Sequence, residues 1–225
     1  MKRIIALTGV ALVFASCTTQ NLTKSVAYKS LYEAKPLSVI VMPPINRSTK
    51  VEAKELFYSS IAVPITLKGY YVMPQLLTME ILKEESAYDS EMFIDRPTRM
   101  IGEVFGADAV LFTIIHDWRK STIASRITVK IEYLLKSTKD DQLLFNRIGN
   151  VTLDLSQNSG GGGLAGALIS MAVSMASTAL TREIVVARKC NDFTLSDLPT
   201  GKYSPMFDHD GDQPAGQKEF DTTIR

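Results

Sequence analysis

Short apolar runs and segments with helical spacing alternate along the first half of the chain. Three runs rich in β-branched residues are typical of buried strands, at residues 37–42, 69–73 and 109–115. Three segments with helical spacing lie between them, at residues 53–62, 76–82 and 97–105. The first of these helices is expected to end at Val63-Pro64. Strand and helix in this order predict an α/β sheet with crossover connections.

A two-residue alternation replaces this pattern between residues 123 and 135. Apolar side chains hold most odd positions there, and polar or charged ones hold most even positions. Such alternation predicts a long strand with one face on a core and the other in water. Residues 142–155 return as a second strand after the polar turn at Lys139-Asp140-Asp141, so the pair predicts a long antiparallel hairpin. The predicted fold class is therefore α/β with a mixed sheet.

Four consecutive glycines follow the hairpin, and residues 157–163 are predicted to be a hinge because glycine has the greatest backbone freedom. Residues 164–180 are apolar or small, which predicts a C-terminal small-residue helix. Gly166, Ser170 and Ser174 recur there at four-residue intervals, a spacing that lets helices approach closely, so they are candidate partner contacts. The alternatives are a helix buried in the protein's own fold and one that faces the membrane. A transmembrane span is rejected because the run is short and carries hydroxyls.

The N-terminus has the layout of a secretory signal. Lys2 and Arg3 precede an apolar run over residues 4–14, and Ala15-Ser16 lead into Cys17. Small residues before a cysteine resemble the lipobox of bacterial lipoproteins, although Phe14 stands where leucine is usual. Residues 1–16 are therefore predicted to be a cleaved signal peptide, and Cys17 is predicted to carry the lipid, including palmitate.

The domain organisation follows from these segments. Residues 17–36 are polar and are predicted to be a lipidated N-terminus and tether. Residues 37–207 are predicted to form a single α/β domain, and residues 208–225 a disordered tail. The segment 181–198 is expected to continue helically after the small-residue run.

Charge and cysteine content narrow the function. Removal of Lys2 and Arg3 from the 25 basic residues leaves 23 against 24 acidic ones. A chain so close to neutral, without long runs of one sign, argues against a nucleic-acid partner. With Cys17 lipidated, Cys190 is the one remaining cysteine, and we expect a buried, inert thiol rather than an intermolecular disulfide.

The sequence shows no catalytic constellation, cofactor motif or metal cluster. His116 and His209 are the two candidate bases, and neither has a second histidine or a cysteine at metal-ligand spacing. The glycine run lacks the lysine of a phosphate loop, and the acidic segment 208–212 lacks the glutamate of a calcium loop. We therefore expect that the protein is not an enzyme.

The loop after the first strand is a candidate groove. Pro43, Pro44 and Asn46 follow residues 37–42, and the ends of strands in α/β sheets often line binding crevices. A rigid turn that serves only to end the strand is the alternative.

Several segments together resemble a family of bacterial lipoproteins of unknown function, typified by a neisserial surface antigen. They are VIVMPPINRS (39–48), GYYVMP (69–74), GADAVLFTIIHDW (106–118), ITVKIEYLL (127–135) and DLPTGKY (197–203), together with the lipobox and the glycine run. The resemblance implies a fold similar to the N-terminal domain of TolB and association into dimers. It also implies genomic neighbours that encode a CsgG-like lipoprotein and a third small lipoprotein. Thr18 after the cysteine implies sorting to the outer membrane, and no catalytic residues carry over.

The sequence and the resemblance together predict a non-enzymatic outer-membrane lipoprotein that faces the periplasm. It would be a homodimer or homo-oligomer and a component of an envelope secretion or transport assembly, acting through protein–protein contacts. CsgG-like and small neighbouring lipoproteins are the expected partners. The alternative is a periplasmic binding module for a small ligand or a peptidoglycan fragment.

Overall fold

The computed structural model describes residues 22–121, 123, 125–154 and 179–224. The α-helices in these ranges are α1 (Lys24–Ala27), α2 (Lys29–Ala34), α3 (Ala53–Leu67), α4 (Gln75–Glu84), α5 (Arg99–Phe105) and α6 (Ala179–Leu195), and a short 3-10 helix spans Ser90–Met92. The strands are β1 (Ser38–Val41), β2 (Ile45–Asn46), β3 (Tyr71–Val72), β4 (Ala109–Ser121), β5 (Arg126–Ser137), β6 (Leu143–Asp154) and β7 (Glu219–Ile224). Among the described residues, no helix is long and apolar enough to cross a membrane.

The strands form one mixed sheet in the order β3-β1-β4-β5-β6-β7, with β2 also pairing to β4. The pairs β1–β3, β1–β4, β2–β4 and β6–β7 are parallel. The strand β5 pairs antiparallel with both of its neighbours, β4 and β6. The α/β class and the mixed sheet predicted from the sequence are therefore confirmed.

The long hairpin has the predicted inward face. Ile127, Val129, Ile131, Tyr133 and Leu135 are all buried, while the residues between them are half-buried. The first strand of the pair begins later than predicted, at Arg126. The reason is that β4 continues to Ser121 and pairs with β5 along its whole length, so position 123 falls in the turn between these two strands.

Two apolar clusters cover opposite faces of the sheet. The larger one packs α2, α3 and α6 on the face that carries Val39, Leu111 and Ile131. The smaller one packs α4 and α5 on the face that carries Ile40 and Phe112. The sheet is thus covered by helices on both faces where β1 and β4 meet, a layered arrangement common in α/β proteins.

Helix α3 passes through the position where the sequence predicted its end. Pro64 lies inside the helix, which ends at Leu67. A proline inside a helix costs about 3 kcal/mol. Burial of Ile61 and Ile65 against the sheet, worth about 1.5–3 kcal/mol for each side chain, offsets that cost.

Both predicted flexible ends are shorter than the sequence suggested. Residues 24–34 were assigned to the tether, but they form α1 and α2, and Tyr28 and Leu31 are buried against the sheet. The predicted tail contains β7 and a turn in which Asp210 is only 1% exposed. These segments are ordered because they pair with each other: Thr23 bridges to Pro214, and the Lys24 N–H donates to the Gln213 carbonyl at 2.9 Å.

Candidate functional site

The predicted groove after β1 is a closed structural turn. Pro43 and Pro44 are buried, and the Pro43 carbonyl accepts a hydrogen bond of 2.5 Å from the Ser90 hydroxyl. Asn46 lies in β2, where its side chain donates to the Lys50 carbonyl at 2.7 Å and accepts from the Ser48 hydroxyl at 2.7 Å. The polar groups that a ligand would need are therefore occupied, which favours the rigid-turn alternative.

Lys50 fastens this turn to helix α6. Its ammonium group lies 2.9 Å from Glu183 of that helix and 3.1 Å from Glu52. The hydrogen bond to Glu183 is the largest cause of a raised pKa of Lys50. The ion pair thus fixes the turn to the helix that follows the glycine-rich segment.

His116 has a structural partner. It lies beside an irregularity in the β4–β5 register, and its Nε2 atom is 2.8 Å from Glu132. The other oxygen of Glu132 accepts from the Asn146 side chain at 2.8 Å. The described residues contain no group of three or more histidine, cysteine, aspartate or glutamate side chains placed to hold a metal ion. His209 lies in a turn, where its N–H donates to the Met206 carbonyl.

The acidic segment 208–212 ties the two ends of the domain together. Asp210 accepts from the Tyr32 hydroxyl at 2.8 Å and from the Thr200 N–H at 2.9 Å. Asp208 pairs with Lys35. The pKa of Tyr32 is raised, mainly by burial of the hydroxyl and secondly by its hydrogen bond to Asp210. The prediction of a disordered tail from residue 208 is therefore wrong for Asp210, which is buried.

A second set of contacts, around Asp197, fixes the N-terminal helices to the C-terminal segment. Asp197 accepts from the Tyr28 hydroxyl and, at 2.8 Å, from the Gly216 N–H. Arg147 of β6 donates to the carbonyls of Phe193 and Thr194, both at 3.1 Å. A Cβ atom at Gly216 would lie 2.6 Å from the Arg147 guanidinium, so a side chain there would require the end of Arg147 to shift.

An open cleft of about 450 Å³ lies beside these contacts. Leu22, Ala27 and Tyr28 form one side, residues 215–218 form the other, and residues 143–146 at the start of β6 form the floor. The volume falls within the range of small-ligand and peptide sites, roughly 300–1,000 Å³. The sequence gives no signal for this cleft, because its lining comes from three segments that lie far apart in the chain.

Apolar side chains surround the β3 edge of the sheet. The apolar residues of helix α4 differ in burial: Leu82 is buried, whereas Leu76 is 79% exposed. The Tyr58 hydroxyl of α3 donates to the Gln75 carbonyl, which brings the start of α4 next to α3 around this edge. The β3-edge patch is defined here by its exposed apolar residues Val63, Leu67, Tyr71, Leu76 and Leu77.

The remaining predicted sites lie outside the described residues. These are the lipidated Cys17, the hinge at 157–163, and the candidate contacts Gly166, Ser170 and Ser174. Cys190, by contrast, lies in α6 as a buried free thiol, which agrees with its predicted role.

The fold and these surfaces define a mixed α/β domain with an exposed apolar patch and an open cleft. The chain belongs to the GNA1162-like lipoprotein family, described as "Putative lipoprotein GNA1162-like", whose model matches residues 26–200. The resemblance inferred from the sequence motifs is therefore confirmed. Residues 201–225, including β7 and one side of the cleft, lie beyond the matched range.

Individual relatives agree with this assignment. "Putative lipoprotein NMB1124/NMB1162" of Neisseria meningitidis serogroup B is 29% identical over 184 residues, which cover 80% of this chain and 84% of the relative. The crystal structure of lipoprotein GNA1162 from Neisseria meningitidis is similar with a TM-score of 0.51 and 26% identity, covering 62% of this chain and 96% of that one. A PelC dodecamer from Paraburkholderia phytofirmans has a TM-score of 0.40 and 15% identity over 71% of this chain and 86% of its own. A likeness that small says nothing about how the present chain assembles.

Proposed function

We propose that the protein is a non-enzymatic lipoprotein of the outer membrane that works as a component of an envelope secretion or transport assembly. The lipid on Cys17 would hold it at the membrane, with the α/β domain in the periplasm. Contacts with its own copies and with CsgG-like or small neighbouring lipoproteins would then carry out its function. Membership in a lipoprotein family supports the anchor, and none of the relatives' descriptions names a reaction.

The observation that carries the proposal is the β3-edge patch. Leu67 and Leu76 are each 79% exposed, although leucine gains roughly 1.5–3 kcal/mol when its side chain is fully buried. Single exposed apolar residues are ordinary, but five of them on α3, β3 and the start of α4 support a contact surface at this edge. The strand β3 has two residues and, within the described residues, pairs with β1 alone, so the sheet as described ends at this patch.

Crosslinking of the full lipidated protein in native membranes tests the proposal. We expect wild-type protein to be recovered in adducts with neighbouring envelope lipoproteins. Leu67→Asp and Leu76→Asp place a charge in the patch and should each abolish the adducts without a change in melting temperature. Ile123→Asp is the matched control, because Ile123 is fully solvent-exposed but lies in the β4–β5 turn, at the opposite end of β4 from its pairing with β1.

The same experiment can overturn the proposal. Recovery of wild-type protein only as an uncrosslinked monomer would contradict an assembly role. Adducts that persist unchanged in both leucine variants would show that the patch is not the contact surface.

A further inference from the structure

The edge of β6 is only partly covered by β7. The pairing of these strands runs from Ile148 to Leu153, whereas β6 begins at Leu143. The Ile148 N–H donates to the Lys218 carbonyl at 2.7 Å. Main-chain groups alternate between the two sides of a strand, so those of Asn146 face the same side as those of Ile148. Because no described strand pairs with Asn146 on that side, its N–H and C=O form a free template for another strand.

This free edge is the floor of the cleft. The segment before β7 is not paired with the main chain of β6 there, because its polar groups bond to side chains instead. The Gln217 carbonyl accepts from Arg147 Nε at 3.2 Å, and the Gly216 N–H is bound to Asp197. These contacts hold the far side of the cleft open, so an incoming chain would find the space already formed.

The lining specifies the chemistry of the occupant. Leu22, Ala27 and Tyr28 give one side an apolar character suited to an aliphatic side chain. Among the described residues that line the cleft, Lys218 alone carries a charge. A carboxylate on the occupant would complement it.

We propose that the cleft binds an extended peptide segment of another protein, which adds a short strand to β6 at Asn146. An aliphatic side chain of this segment would pack beside Ala27 and Tyr28, and a carboxylate would lie near Lys218. Recognition of this kind takes its affinity from main-chain hydrogen bonds and its specificity from side-chain pockets. The inference rests on the proposed function, since it names a kind of partner for a protein that acts through protein contacts.

The test uses the full chain in detergent and a fluorescent probe peptide of five residues, alternating valine and threonine and ending in a free carboxylate. We expect saturable binding by anisotropy and slower hydrogen exchange over residues 143–147.

Ala27→Trp fills the cleft and should raise the Kd by about tenfold or more. Val26→Trp is the matched control on the same helix, because Val26 is also exposed but does not line the cleft. Lys218→Gln should raise the Kd about threefold, as expected for a partly exposed charge pair.

Two further probes decide between kinds of ligand. A backbone N-methylated version of the peptide cannot form the ladder and should not bind. Equal binding of this analogue, or no binding of the parent peptide, would overturn the proposal. Displacement of the probe by a peptidoglycan disaccharide without its peptide would overturn it in favour of a small-ligand site.

The outcomes also separate this inference from the proposed function. In one outcome, the Ala27→Trp variant loses peptide binding while its membrane adducts stay unchanged. That result would show that the peptide site is separate from the assembly contacts of the β3-edge patch. If the wild-type chain forms adducts but binds no peptide, the cleft proposal fails alone. If it binds peptide but forms no adducts, the assembly role fails alone.

Discussion

The hydroxyl of Tyr133 donates a hydrogen bond to the side-chain oxygen of Asn191, and both residues are completely buried. The bond joins β5 to α6, and the Asn191 amide continues to the Ser60 hydroxyl of α3 at 2.9 Å. Three elements that are distant in sequence thus share one polar chain inside an apolar core. Such a chain is costly to break, because a buried group that loses its partner keeps the full cost of leaving water.

Tyr133→Phe should therefore destabilise the domain. The substitution keeps the ring and leaves the Asn191 oxygen without a donor, which costs about 1–3 kcal/mol. The free energy of unfolding in urea measures the effect. Tyr203→Phe removes a hydroxyl from an exposed ring and should change nothing. Equal stability of the two variants would mean that the buried bond contributes little.

Asp197→Ala should release the N-terminal helices from the C-terminal segment. The carboxylate holds both Tyr28 and the Gly216 N–H, so its loss leaves the buried Tyr28 hydroxyl and the Gly216 N–H without this partner. We expect faster hydrogen exchange over residues 22–34 and a loss of about 1–3 kcal/mol in stability. Asp212→Ala changes an exposed carboxylate in the same segment and serves as the control. Unchanged exchange in the Asp197 variant would argue that apolar packing alone holds the helices.

The sheet was predictable because its periodicity is local. Val129, Ile131 and Tyr133 all point inward, as the alternating pattern requires, since a strand shifted by one residue would expose every one of them. The helix C-cap at Gly106 is also local: its φ of 65° suits glycine, and the sequence marks it as the end of a helix.

The contact surfaces were not predictable, because they depend on how distant elements pack and not on a local pattern. Leu76 and Leu82 share the same apolar character, and only the position of α4 at the rim of the sheet leaves one of them in water. The floor of the cleft depends on where β7 stops pairing with β6, a tertiary relationship that no nearby residue encodes. Tyr28 and Asp210 likewise become buried through partners more than 150 residues away in sequence.

Acid should weaken the domain partly through Asp141. Hydrogen bonds from the Thr98 N–H (2.5 Å) and hydroxyl (2.8 Å) lower the pKa of this carboxyl. Because the pKa of Asp141 is lowered in the folded state, its ionised form stabilises the domain. This contribution is fully present above the pKa of an unfolded aspartate, about 3.9, and is lost as the pH falls through the pKa of the folded state. The Asp141→Asn variant should therefore be less stable than wild type at neutral pH. Below about pH 4 it should lose less stability than wild type does.

Asparagine is the appropriate substitution at this position. The backbone of residue 141 has a φ of 61°, a left-handed conformation that asparagine tolerates, so only the charge is changed. Melting temperatures between pH 3 and pH 7 give the comparison, with Asp212→Asn as an exposed control. Parallel pH profiles for wild type and Asp141→Asn would contradict the assigned role.

Cys190 should be unreactive in the folded protein. It is fully buried in α6, and burial raises the pKa of its thiol, so the reactive thiolate is scarce. We expect iodoacetamide at pH 8 to label this residue only after unfolding. Thr66→Cys, at an exposed position of α3, should be labelled at once in the folded state. A disulfide-linked dimer on a non-reducing gel, lost in Cys190→Ser, would contradict this prediction.

Cys17→Ala should remove the membrane anchor. The small residues before Cys17 suit lipid transfer to its thiol, and alanine has no sulfur to form the thioether. We expect labelled palmitate to enter the wild-type protein and not the variant, and the variant to leave the membrane fraction. Cys190→Ser tests whether the second cysteine contributes, and its labelling should equal that of wild type. Palmitate that persists in Cys17→Ala would require a different attachment site and would remove the anchor from the proposed function.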